Sequence, residues 1–148
     1  MQDAFGGILN ITIVAVFFIL VSSILAMTVN YTKAFKMKNY VISTIEQYEG
    51  SGCGCTGERT TNTLCISKIK NYASDLGYAP KMTNCNGNGD RPIDGLFCCG
   101  KSESSENLSS KQLMYSVTTQ VDIDFPLIDK LMGTKALQVH GDTRIITK

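Results

Sequence analysis

The 148-residue chain has no tryptophan, one histidine, three prolines and almost no surplus charge. Fourteen basic residues against 13 acidic ones leave a net charge of +1, which excludes the basic face that nucleic-acid binding needs. Charged residues make up 18% of the chain, below the roughly 25% usual in soluble domains. The shortage is local: residues 4–32, between Asp3 and Lys33, hold no charge at all. A freely diffusing small enzyme is thereby excluded. His140 stands alone, and no G-x-S-x-G, H-E-x-x-H or paired-carboxylate pattern supplies it with a partner. The chain reads as a non-enzyme with no cofactor, long enough for one domain and an appendage.

What fills the uncharged run is apolar. From Ile8 to Val29 it reads ILNITIVAVFFILVSSILAMTV, and as a helix this makes about 33 Å, enough to cross a bilayer core of about 30 Å. A cleaved signal would need a basic start and a small-x-small exit; Asp3 and Leu25-Ala26 supply neither, so the segment is expected to be retained. Two signals disagree about orientation. Lys33, Lys36 and Lys38 would hold the following side in the cytoplasm. Six cysteines further along argue for an oxidising compartment on that same side. The cysteines are the stronger signal.

The helix is expected to continue past the membrane. Residues 30–49 contain no Pro or Gly, while Ala34, Met37, Val41, Ile45 and Tyr48 recur at steps of three and four. Gly50 then supplies a stop. The stripe predicts that the protein's own globular part packs on it.

Residues 50–110 are rich in Gly, Ser, Asn and Thr. Cys65, Ile69, Tyr72 and Leu76 form one helix-period stripe within 60–76, with Gly77 as terminator. Residues 101–110 (KSESSENLSS) read as an exposed, mobile loop, and the oxygen-rich stretch from Asn84 to Asp90 as a turn-rich loop rather than a calcium site. The cysteines are Cys53, Cys55, Cys65, Cys85, Cys98 and Cys99. Their spacings fit neither zinc nor a redox C-x-x-C motif. Disulfide staples are expected, with several pairings open. Bridges within Cys53/Cys55 or Cys98/Cys99 are disfavoured by geometry, so Cys53 and Cys55 should reach different partners and tie the loops to the short helix.

In the last third, Leu113, Tyr115, Val117, Thr119, Val121, Ile123 and Phe125 alternate with Ser116, Thr118, Gln120, Asp122 and Asp124. This predicts a half-buried strand with a wet outer face. A second strand is expected over about 135–147, with Leu137, Val139 and Ile145 on one face, and the antiparallel pair would pack across the upper helix.

This layout resembles a family. An N-terminal hydrophobic helix, a helical continuation with lysines just past the membrane, and a strand, FPLIDKLMG, and a strand ending Gly141-Asp142-Thr143-Arg144-Ile145 look like the TadE-like pseudopilins and, more widely, type IV pilins. The resemblance implies insertion with the N-terminus inward. It also implies a membrane-held precursor that enters a surface filament, either uncleaved or processed at Gly6-Gly7, where a prepilin-type leader would be only six residues long and without basic charge. The fold class expected is α+β: a transmembrane and stalk helix (1–49) bearing a disulfide-stapled extracytoplasmic head (50–148). The function expected is a structural subunit of a pilus-like filament, polymerised with copies of itself by an assembly machinery. Ile8, Ile11, Val14, Phe17, Phe18, Val21 and Leu25 would pack the filament core, with heads at the cell surface. The competing readings are a membrane-anchored adhesion module and a secretion or conjugation component that never polymerises.

Overall fold

The structure is a computed structural model and describes residues 2–50, 52–55, 63–85, 90–109, 111–122 and 136–147. Helix α1 runs unbroken from Gln2–Gln47, 46 residues or about 69 Å. It ends where expected. Glu49 and Gly50 both take left-handed backbone angles (φ 51° and 71°), and the Gly50 N–H donates to the Ile45 carbonyl at 2.9 Å.

The two halves of α1 meet different surroundings. Ala34, Met37, Val41 and Ile45 are completely buried, and Tyr48 packs partly against the same core. Burying each of the larger three is worth about 1.5–3 kcal/mol. The stripe is thus covered by the protein's own head, as its spacing predicts.

Helix α2 (Thr63–Leu76) lies antiparallel along this upper half. Tyr40 stacks on Tyr72 with ring centroids 3.8 Å apart, and Lys68 lies over the Tyr48 ring. Cys65, Ile69 and Ala73 face inward. Gly77 closes the helix at φ 61°: its N–H donates to the Ser74 carbonyl, and the Tyr78 N–H to that of Ala73.

The main sheet has four antiparallel strands, β1 (Arg91–Ile93), β2 (Phe97–Lys101), β4 (Tyr115–Asp122) and β5 (Ala136–Asp142), in that spatial order, and packs on α1 through β4 and β5. Two short strands, β3 (Gln112–Leu113) and β6 (Ile146–Thr147), pair separately. The inner face carries Phe97, Cys99, Tyr115, Val117, Thr119, Val121 and Val139, all buried. With a long apolar helix, a short helix, an antiparallel sheet and three disulfides, the fold is α+β with a stapled head.

Three expectations need correction. The strand beginning at Leu113 is two strands, and β4 is described only to Asp122; Ile123, Asp124, Phe125 and the FPLIDKLMG connection lie outside the described residues. Its polar face is not uniformly wet, since Ser116 and Thr118 are 6% exposed.

The second strand also breaks. Thr143 still opposes Tyr115, donating its N–H to the Tyr115 carbonyl and accepting the Tyr115 N–H on its hydroxyl. Ile146 already opposes Leu113, so Arg144 and Ile145 face Met114 alone. This bulge shifts the period by one residue, leaving Ile145 exposed and burying Ile146 instead.

Finally, residues 101–110 are not simply a loop. Glu103–Asn107 forms a 3-10 turn in which Ser105 donates through both its N–H and its hydroxyl to the Ser102 carbonyl, and both serines are buried.

Candidate functional site

Between Gly7 and Ser22 every residue of α1 is exposed; the head reaches down the helix only as far as Lys33 and Asn30. Ile8, Ile11, Val14, Phe17, Phe18, Val21 and Leu25 occupy one half of its circumference and are all solvent-exposed. Leu9, Ile13, Val16, Leu20 and Ile24 are equally bare. The best window of this stretch has a mean hydropathy of 2.7 and buries none of its residues, so the helix is long and apolar enough to cross a membrane.

Its few hydroxyls are turned inward on the helix. Thr12, Ser22, Ser23 and Thr28 each donate to the carbonyl four residues back, at 2.7–2.9 Å. The segment therefore offers its surroundings no unsatisfied hydroxyl donor. Such a surface is stable in lipid or among other helices, and poorly in water.

The head is held by Cys53–Cys65, Cys55–Cys99 and Cys85–Cys98, with Cα separations of 5.3, 5.0 and 5.9 Å. Cys53 and Cys55 do reach different partners, one on α2 and one on β2. The adjacent Cys98 and Cys99 diverge because neighbouring strand residues point to opposite faces. Cys99 enters the core beside α1, while Cys98 pins the loop at Cys85 on the outer face. With all six cysteines bridged, no thiolate is left to bind a metal.

His140 stands on the outer face of β5. Its Nδ1 lies 3.0 Å from the Thr118 hydroxyl and its Nε2 3.7 Å from Asp142. Beside it a groove of about 260 Å³ is lined by Asp90, Lys101, Glu103 and Ser116, among others. The Ser116 hydroxyl donates to Asp90 at 2.7 Å. The imidazole and the serine thus each have a separate polar partner.

Several contacts that join the elements could not be read from the sequence. The Thr119 hydroxyl donates to the Ala34 carbonyl, fastening the sheet to α1. The Tyr78 hydroxyl donates to the Gln120 carbonyl at 2.8 Å and accepts the Gln120 N–H at 2.9 Å, closing β4 where β2 has ended. Lys33 donates to the Gly77 carbonyl at 3.3 Å, at the negative end of α2. Isolated polar residues have no periodicity, so no sequence pattern marks them. Tyr115 is buried beside Gly50, and desolvation raises its pKa above the usual tyrosine value.

Compared with protein-family models, curated proteins and solved structures, the chain matches none.

Proposed function

We propose that the chain is a structural subunit of a pilus-like surface filament, held in the membrane by residues 8–29 until it assembles. The observation that carries this reading is the division of one continuous helix. Its upper half is the spine of a covalently stapled head, and residues 7–22 below it are exposed all round the helix. Rigid continuity means that moving the lower helix out of lipid moves the head with it. The bare surface, removed from lipid, is stable only when other copies cover it. Bundled helices would form the core, and heads the wall. The lower stretch packs closely through Gly7, Ser22 and Ser23, whose small side chains let helix backbones approach.

A charge inside the bundle separates this from an anchored module. Val16→Lys is expected to remove the chain from the sheared, high-speed-pelleting surface fraction while leaving the disulfide-bonded head folded. If instead a chain lacking residues 1–30 retains full activity, the lower helix is a tether and the filament reading fails.

A further inference from the structure

The membrane-facing end of the head contains a cleft of about 220 Å³, lined by Asn30, Lys33, Tyr78, Pro80 and Val121 among others. Its height on α1 is fixed by the helix itself. Asn30 directly follows Val29, the last residue of the apolar run, and Lys33 stands about 6 Å above Val29. The polar layer on each side of a bilayer core is about 5–7 Å thick. With residues 8–29 in the bilayer, the cleft opens into the headgroup layer. This placement rests on the membrane anchoring proposed above.

Helical side chains lean toward the helix N-terminus, which here is toward the lipid. Asn30 and Lys33, three residues apart, share one face and present an amide and an ammonium to the same space. Lys33 uses one of its three donors on the Gly77 carbonyl, leaving two. The other walls are mixed: Ala79, Pro80 and Val121 stand beside the polar Tyr78 and Gln120. Lys36 and Lys81 are exposed nearby in sequence to these walls, and Asp75 on the last turn of α2 is an exposed carboxylate at this end. On α1 itself no acid stands between Asp3 and Glu46.

We infer that this cleft binds the headgroup of an anionic phospholipid, with the phosphate on the Lys33 ammonium and the Asn30 amide. Lys33, one of the lysines that conflict with the cysteines over orientation, thereby gains a role on the oxidising side. It helps to hold the unassembled subunit upright against the membrane.

The test uses the full chain in phosphatidylcholine nanodiscs doped with spin-labelled phosphatidylglycerol or spin-labelled phosphatidylcholine. The immobilised lipid fraction is read by electron paramagnetic resonance. The expected preference for phosphatidylglycerol is about fivefold, the worth of one ammonium at an anionic surface. Lys33→Gln should bring it to parity and Lys33→Arg should keep it. Ala79→Phe, which fills the cleft from an exposed loop position, should abolish it without touching a lysine. Lys36→Gln, outside the cleft, should keep most of it. Equal losses at Lys33 and Lys36, or no preference in the wild type, would overturn the cleft. A chain that fails to enter the discs would overturn the membrane anchoring, and the cleft with it.

Discussion

The backbone N–H of Arg144 donates to the Glu46 carboxylate at 2.7 Å, joining the bulge near the C-terminus to the last turn of α1. That N–H belongs to the unpaired stretch of the bulge, so the ladder offers it no carbonyl. Glu46→Ala is expected to cost about 1 kcal/mol, the scale of a hydrogen bond to a charged group at a partly exposed site. Glu46→Gln, which keeps an acceptor oxygen, should cost less than half of that. Chemical denaturation under oxidising conditions reads both.

Tyr115 and Gly50 are packed so closely that a Cβ on Gly50 would stand 2.5–2.7 Å from the tyrosine ring and hydroxyl. Gly50 also has φ +71°, which disfavours any side chain. Gly50→Ala is expected to destabilise by about 2–4 kcal/mol, combining backbone strain with overpacking.

Among the described residues the buried Tyr115 hydroxyl has no hydrogen-bond partner. Tyr115→Phe should therefore be neutral or stabilising by about 1 kcal/mol. Its pH dependence follows from the raised pKa. The unfolded chain releases this proton near pH 10 while the folded chain still holds it. Wild-type stability should fall as pH rises above 10, and Tyr115→Phe should fall less steeply. Parallel alkaline unfolding curves for the two would contradict this.

Removal of the three disulfides should not be equivalent. Cys55–Cys99 spans 44 residues, against 12 and 13 for the others. Loop-closure entropy assigns about 4 kcal/mol to the long bridge and about 3 kcal/mol to each short one. The double replacement Cys55→Ser/Cys99→Ser is expected to lower the thermal midpoint most, since it also frees the sheet from the segment leaving α1. Calorimetry of the three double mutants ranks them.

What could be read in advance was what repeats. The steps of three and four at Ala34, Met37, Val41 and Ile45 mark a buried helix face, and the alternation from Tyr115 to Val121 marks a strand. Gly50 and Gly77 mark helix ends because left-handed turns favour glycine. The extra residue at Arg144–Ile145 left no such mark, because either phase of the alternation places an isoleucine inward. Strands β1 and β2 were hidden by their shortness and by Pro92, which is tolerated at a sheet edge. The lower helix was legible as apolar from composition alone. The exposure of residues 7–22 on every side is a fact of packing, visible only once the head's extent along α1 is known.

The filament itself is tested most directly by immunogold labelling of the head in negative-stain images of sheared cell-surface material. Fibres regularly decorated along their length in the wild type, and lost in Val16→Lys cells that still contain the folded head, are the predicted result. Label confined to membrane fragments, with no decorated fibres in the wild type, would contradict the account.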